Sequence, residues 1–163
     1  MKLIGENIHI ISKNTKTAIE KRDKSYIQKI AQREIESGVD WVDLNIGPAR
    51  RGSEGVMEWL VSSISEVGNT NFSFDTSNTI EIRAGLSIVK SPEKSIINSA
   101  SGDPERLENM TKIASEFNTN LIALTMSNET GIPKDPEGRL EIASIIIEKT
   151  NEYGIDNSKI YLD

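Results

Sequence analysis

The chain alternates short apolar runs with longer stretches of helical periodicity, and this pattern restricts the fold more than any other feature. The apolar runs predict six strands, at residues 3–8, 41–46, 72–75, 95–98, 120–126 and 160–162. Five helices are predicted between these strands. Such alternation is typical of a parallel sheet, which is either doubly wound or closed as a (β/α)8 TIM barrel. We therefore predict an α/β fold.

Capping residues mark where several of the predicted helices begin and end. Gly38 follows the first helix, where a residue in the left-handed conformation would end it, and Ser53 is predicted to cap the second. Asp103 and Asp135 each precede a proline, and an acceptor side chain followed by proline is typical of a helix start. The last helix is predicted to present one apolar stripe, formed by Leu140, Ala143, Ile147 and Thr150.

The length of the chain limits how much of a barrel it can form. Its 163 residues fall in the range of one domain, and we predict a single domain over residues 1–163. A (β/α)8 barrel typically needs about 250 residues, so we expect an incomplete barrel that lacks roughly two βα units. An open parallel sheet exposes unpaired edges and apolar side chains, so we favour a fragment of a longer protein.

The composition argues against several kinds of chemistry. The chain has no cysteine and one histidine, which excludes disulfides, thiolate metal sites and sites with several histidines, so we expect no metal site. Its formal net charge is −6 and its basic residues are scattered, which argues against binding nucleic acid. No apolar run approaches the ~18 to 20 residues that cross a bilayer, so we expect no membrane segment and a cytoplasmic location.

Polar side chains are predicted to recur at the C-terminal ends of the strands, where parallel βα folds place their ligand sites. These residues are Glu6, Asn7, Asp43, Asn45, Asp75, Asn98, Thr125, Asn128 and Asp163. A carboxylate can accept two parallel hydrogen bonds from an amino group and a neighbouring ring N–H, so such a set suits a flat heterocycle such as a pterin. The alternative for each residue is that it caps the following loop.

Several segments resemble one family of proteins along the whole chain. They are IGENI at residues 4–8, VDLNIGPA at 42–49, MEWLV at 57–61, FDTSN at 74–78, INS at 97–99 and LTMSNETGIPKD at 124–135. The chain resembles the pterin-binding barrels. This group includes methyltetrahydrofolate:corrinoid/iron-sulfur protein methyltransferase, the methyltetrahydrofolate domain of cobalamin-dependent methionine synthase, and dihydropteroate synthase. The first of these is the most similar.

The resemblance implies roles for particular residues. The aspartate of strand three, the asparagine of strand four and the aspartate of strand six contact the pterin in this family, and they correspond here to Asp75, Asn98 and Asp163. Asn45 and Glu6 lie in segments that are equally similar to the family and are further candidates for the pterin site. Asn128 is a candidate for shaping its rim. A strand-seven asparagine of the family has no counterpart among these 163 residues.

The resemblance also implies an activity. A methyl group would pass from N5 of methyltetrahydrofolate, the pterin substrate, to the cobalt of a cobalamin or other corrinoid carried by a partner protein, and the full-length protein would be a homodimer. No residue is assigned as the proton donor. We interpret His9 as a strand-end or loop residue rather than a general acid. Arg50 and Arg51 either meet a folate glutamate tail or lie in a solvated loop.

Two other functions remain open. Dihydropteroate synthase shares the predicted fold and pocket, but its Asp-Ser-Phe-type loop after the first strand has no match in the sequence IHIISKNTKT. A non-catalytic pterin-binding subunit is the second alternative.

Overall fold

The computed structural model describes residues 1–48 and 54–163, which group into two compact units, Met1–Ser95 and Ile96–Asp163. The predicted cap Ser53 and the basic pair Arg50 and Arg51 lie outside the described residues. No helix in the described ranges combines the length and the apolar character needed to span a bilayer.

The first unit contains three parallel strands, β1 (Ile4–His9), β2 (Trp41–Asn45) and β3 (Asn71–Asp75). Its helices are α1 (Lys13–Glu20), α2 (Lys24–Glu36), α3 (Val56–Ser65) and α4 (Thr79–Ile88), followed by a 3₁₀ turn at Pro92–Lys94. Side chains alternate along β2 and β3, so that Leu44 and Phe74 lie on one face and Asp43 and Ser73 on the other. The unit therefore has an apolar face for its helices and a polar face opposite.

Helix α4 approaches the apolar face closely because it carries a glycine at the contact. A Cβ on Gly85 would lie 2.5 Å from Cε1 of Phe74 and 2.7 Å from Cγ of Met57 on α3. A glycine inside a helix lowers its stability by about 1 kcal/mol relative to alanine. The close approach of α4 to β3 and α3 leaves no room for a Cβ at this position.

The start of α3 is capped by a side chain from another helix. Its N-cap position is occupied by Gly55, which provides no side-chain acceptor. The two carboxylate oxygens of Glu81 on α4 accept from the backbone N–H groups of Gly55 and Met57, at 2.8 and 2.7 Å. Glu81 is 2% exposed, so these two charge-assisted bonds satisfy its buried carboxylate as well as the helix start.

The second unit contains the parallel strands β4 (Ile96–Ser101), β5 (Asn120–Leu124) and β6 (Ile160–Leu162). Its helices are α5 (Pro104–Phe117) and α6 (Pro136–Glu152), and a 3₁₀ turn at Asn157–Lys159 precedes β6. Helix α5 packs on β4 and β5 through a buried stripe at helical spacing. The residues of this stripe are Leu107, Met110, Ile113 and Ala114.

An ionic cluster joins α5 to α6. The Glu108 carboxylate pairs with Lys112 at 2.8 Å and with Lys149 of α6 at 2.8 Å, and it also accepts from the hydroxyl of Tyr153. Hydrogen bonds from Lys112, then Lys149 and Tyr153, lower the pKa of Glu108 to about 2, while the pairs with Glu108 and Glu152 raise the pKa of Lys149. The cluster fixes the contact between the two helices at the surface of the unit.

The predicted fold class is confirmed. Each unit of the described residues contains three parallel strands with helices between them, an α/β order that corresponds to six of the eight strands of a (β/α)8 barrel. The predicted strands all exist, with ends that differ by up to three residues. Gly38 has φ of +80° directly after the C-cap of α2, and Asp135 caps α6 by accepting from the N–H of Gly138, both as predicted.

Four predictions about the helices were wrong. The described ranges hold six α-helices rather than five, because α1 is a short helix with only two buried apolar side chains, Ala18 and Ile19. The N-cap position of α3 is Gly55, whereas Ser53 was predicted for it. Helix α5 begins at Pro104 with Asp103 at its N-cap position, as predicted, and only the expected capping bond from the Asp103 side chain was wrong.

The fourth wrong prediction concerns the apolar stripe of α6. Leu140 is 67% exposed, and Ala143 and Ile147 are half-buried. The buried residues of α6 are Ile142, Ile146 and Thr150. Apolar residues occupy several faces of this helix, so its sequence is compatible with more than one buried stripe and the contact with α5 selects one of them.

Candidate functional site

A row of three polar side chains crosses the ends of the strands in the first unit. The registers pair His9 of β1 with Asn45 of β2, and Asn45 with Asp75 of β3. All three residues are half-buried. Paired residues on neighbouring parallel strands direct their side chains to the same face, so the row presents an imidazole, an amide and a carboxylate side by side.

Asn45 orients the carboxylate of Asp75. Its Nδ2 donates to Oδ2 of Asp75 at 2.5 Å, and its Oδ1 accepts from the backbone N–H of Gly47 at 3.2 Å. These two partners fix the direction of the amide, since a carboxylate can only accept and a backbone N–H can only donate. The Asp75 carboxylate is therefore held in one orientation at the C-terminal end of β3.

Gly47 connects the loops that follow the three strands. Its φ of +68° is in the left-handed region, and an added Cβ would collide with the Cδ1 atom of Ile10 in the loop after β1. Its carbonyl accepts from the hydroxyl of Thr76, which follows β3. The glycine of the NIGPA segment thus brings a left-handed turn and a close packing contact to the same place.

Asp43 does not belong to this strand-end row, contrary to the prediction. It is the third residue of β2, 2% exposed, and its Oδ1 accepts from the hydroxyl of Ser73 at 2.5 Å. The pair lies one layer below Asn45 and Asp75 in the register of β2 and β3. Its carboxylate is engaged by a neighbouring strand rather than presented at the end of its own.

Glu6 and Asn7 were predicted near the end of strand one, but β1 continues to His9. Both are exposed residues at a register irregularity between Gly5 and Ile8. Asn7 donates from its backbone N–H and from Nδ2 to Oε1 of Glu34 on α2, at 2.8 and 2.7 Å. Glu34 thereby holds Asn7 and leaves Glu6 as the exposed carboxylate of this strand.

In the second unit, Asn98 is the third residue of β4 and is half-buried, because β4 continues past it to Ser101. The prediction that the strand ends at Asn98 was wrong. A register irregularity follows between Asn98 and Ala100, where the Asn98–Ser99 peptide bond is cis. The register pairs Asn98 with Ile122 of β5.

Asp163 is an exposed residue whose backbone is hydrogen-bonded to the end of β5 and to Thr125, which follows it. Its carbonyl accepts from the N–H and the hydroxyl of Thr125, each at 2.7 Å, and its own N–H donates to Ala123 at 3.1 Å. Thr125 is therefore a positioning group for the backbone at this point. The hydroxyl is used inside the protein, which differs from the ligand role that its strand-end position suggested.

Asn128 is exposed in the loop after β5, and that loop is tied to the loop after β4. Its N–H donates to Oδ1 of Asp103 at 2.7 Å, and the hydroxyl of Ser101 donates to Oδ2 at 2.8 Å. The bond from Asn128, followed by that from Ser101, holds the pKa of Asp103 below its usual value. Asp103 therefore joins two loops, which is why its side chain does not cap α5.

Sequence reasoning predicted Asn45 and Asp75, which lie side by side in the first unit, but it did not single out Gly47 or Thr76, which contact the same strand ends. Their only signal is their place inside the NIGPA and FDTSN segments. Asn98 and Asp163 of the second unit stay predictions. In the described ranges, no group of three or more histidine, aspartate or glutamate side chains is arranged to hold a metal ion. In the first unit the strand ends offer an oriented carboxylate with one amide beside it, which suits hydrogen bonds to the N–H groups of a flat ring.

These features define a class of protein. The sequence profile of the pterin binding enzyme family matches residues 12–163, and the chain belongs to that family. It is 24% identical over its whole length to a methylcorrinoid:tetrahydrofolate methyltransferase from Eubacterium limosum. The chain spans 60% of the length of that curated relative. The resemblance to pterin-binding barrels drawn from the sequence is thus confirmed.

Proposed function

We propose that this chain forms the pterin-binding part of a methyltransferase that passes a methyl group between a tetrahydrofolate and the cobalt of a corrinoid protein. The observation that carries the proposal is the Asp75 carboxylate, held by Asn45 at the end of β3 in a chain of the pterin-binding family. An acceptor fixed in this way can take two parallel hydrogen bonds from the amino group and ring N–H of a pterin.

The remaining site residues are proposed as pterin contacts on separate grounds. Asn98 is half-buried and can both donate and accept, which suits the edge of a heterocycle. Asp163 follows β6 and its backbone is fixed by Thr125, so its carboxylate starts from a defined position. Glu6 and Asn128 are exposed and are proposed for the rim.

The proposed chemistry assigns the chain the work of binding and orienting the pterin. The corrinoid of a partner protein supplies the cobalt that takes or gives the methyl group. In the direction expected from the sequence, the bond between N5 and the methyl carbon breaks, and N5 keeps the electron pair and takes up a proton. The new bond between the methyl carbon and cobalt would use an electron pair of cobalt(I), which would become cobalt(III). A tertiary amine is a poor leaving group until it is protonated or hydrogen-bonded, so a polar site that holds the ring assists this step.

The direction of transfer needs separate consideration. The name of the Eubacterium limosum relative describes transfer from a methylcorrinoid to tetrahydrofolate, opposite to the direction expected from the sequence. The same oriented pterin serves both directions, because forward and reverse transfer pass through one transition state. Assays should therefore start from each side, with methyltetrahydrofolate in one and a methylated corrinoid protein in the other.

The first experiment is a calorimetric titration of the full-length protein with methyltetrahydrofolate, in wild type and Asp75→Asn. The substitution removes a charged acceptor and should weaken binding by about 1 to 3 kcal/mol. Asp40→Asn is the matched control. Asp40 lies before β2 at the opposite end of the strand and binds Lys2 and the N–H of Leu3, so its replacement should leave pterin affinity unchanged.

The outcomes separate the possible functions. Equal affinity in wild type and Asp75→Asn would remove Asp75 from the site, and no binding by wild type would defeat the proposal. Turnover of a pterin diphosphate with an aromatic amine would favour a dihydropteroate synthase. Pterin binding without methyl transfer in either direction would favour a non-catalytic subunit. The expected homodimer remains a prediction.

A further inference from the structure

The single histidine of the chain lies in the strand-end row. His9 is the last residue of β1, half-buried, and its register partner is Asn45, which orients Asp75. Side chains paired in this way share one face of the sheet. The imidazole is therefore on the same face, and in the same layer, as the carboxylate that we propose binds the pterin.

A backbone contact decides which nitrogen of His9 carries the proton. Nδ1 accepts from the N–H of Ser12 at 3.3 Å. A nitrogen that accepts a hydrogen bond has no proton, so the neutral ring carries its proton on Nε2. Ser12 is the N-cap of α1, and its hydroxyl accepts from the N–H of Thr15 at 3.4 Å. The start of α1 thus holds the ring with Nε2–H as its remaining donor.

A pterin in this row would have a use for such a donor. The Asp75 carboxylate can only accept, and Asn45 donates one N–H of Nδ2 to Asp75 and accepts from Gly47 through Oδ1, so its second N–H is the other donor in the row. A pterin has N–H groups for a carboxylate, but it also has a carbonyl oxygen and ring nitrogens that accept. We propose that His9 binds the pterin by donating from Nε2–H to one of these acceptors. This inference rests on the proposed function.

Two substitutions separate this role from a purely structural one. In His9→Asn the new amide lies near the former Nδ1, so its oxygen can still accept from Ser12 while the donor at the Nε2 position is lost. In His9→Gln the longer side chain can place an N–H near the former Nε2, and the contact with Ser12 is lost. Each variant therefore keeps one of the two contacts and removes the other.

The two variants are compared in the full-length protein by methyltetrahydrofolate titration and by amide hydrogen exchange. His9→Asn should raise the Kd about tenfold, whereas His9→Gln should change it by less than about threefold. Exchange of the Ser12 amide should be unchanged in His9→Asn and faster in His9→Gln. Wild-type affinity in His9→Asn would overturn the inference, as would a larger affinity loss in His9→Gln than in His9→Asn.

A long-range ¹H–¹⁵N spectrum tests the tautomer without any ligand. At about pH 8, the signal that disappears in His9→Gln should show a protonated Nε2 and an unprotonated Nδ1. Methyltetrahydrofolate should then shift the Nε2 resonance. An Nδ1–H tautomer would contradict the inference. If wild type binds no pterin, the proposed function fails, while the tautomer of the free protein still reports on His9 itself.

Discussion

Replacing Asn45 with aspartate would test whether its amide holds the Asp75 carboxylate by donating to it. Asn45→Asp keeps the shape of the side chain but places two carboxylates at a contact where Nδ2 and Oδ2 lie 2.5 Å apart. Two unit charges roughly 4 Å apart repel by about 4 kcal/mol at an effective dielectric constant near 20, and partial exposure reduces this to about 2 to 4 kcal/mol. The variant should be destabilised by that amount when both groups are ionised.

The sign of the pH dependence follows from proton uptake. A carboxyl that shares a site with another carboxylate has a raised pKa, so the folded variant binds more protons than its unfolded chain. Stability of Asn45→Asp should therefore be greater at low pH and fall as the pH rises through that raised pKa. Urea unfolding at about pH 5 and about pH 8 measures the difference.

The control for this prediction is Asn45→Ala, which removes the same hydrogen bond without adding a charge. Its loss of stability relative to wild type should be similar at both pH values. If Asn45→Asp and Asn45→Ala follow parallel pH profiles, the two side chains do not face one another as described, and the orientation of Asp75 by Asn45 is refuted.

Two further predictions concern stability. Glu81→Ala leaves two amides at the buried start of α3 without acceptors, so it should lower the free energy of unfolding in urea by about 2 to 5 kcal/mol. The control Glu58→Ala, at an exposed position in the first turn of α3, should cost far less, and equal losses would contradict the capping role of Glu81. Hydrogen bonds from Lys112, Lys149 and Tyr153 lower the pKa of Glu108 from 4.5 to about 2. The ionised Glu108 therefore contributes fully to stability above pH 4.5, and this contribution should be lost as the pH falls from 4.5 to about 2. Glu108→Gln should remove that part of the acid dependence, and an unchanged acid profile would show that the cluster does not contribute.

The fold could be predicted from the sequence because local signals agreed with the packing. Period-two and helical patterns identified the strands and most helices, and Gly38 and Asp135 act at helix ends as local rules require. Helix α1 was missed because eight residues with two buried apolar side chains give a weak periodic signal. The buried stripe of α6 was wrong because its apolar residues lie on several faces, and only the neighbouring helix selects one.

The site could be predicted only where a residue follows a strand directly. Asn45 and Asp75 end β2 and β3, so the apolar runs before them were enough to predict that they lie at strand ends. Asp43 lies two residues earlier, and its burial against Ser73 depends on the register between strands, which the sequence of one strand does not specify. The roles of Gly47 and Thr76 depend on contacts between loops of different strands, for which no local pattern exists.

The cap that Glu81 places on α3 has a consequence for how the chain is made. The two amides it satisfies precede it by 26 and 24 positions, so a ribosome delivers the helix start well before its acceptor. At about 5 to 20 residues per second, this interval is roughly one to five seconds. Over that time the first turn of α3 must rely on water, and it should open and close until α4 emerges. We therefore expect the first turn of α3 to become stable only when α4 has been synthesised and Glu81 can bind its amides.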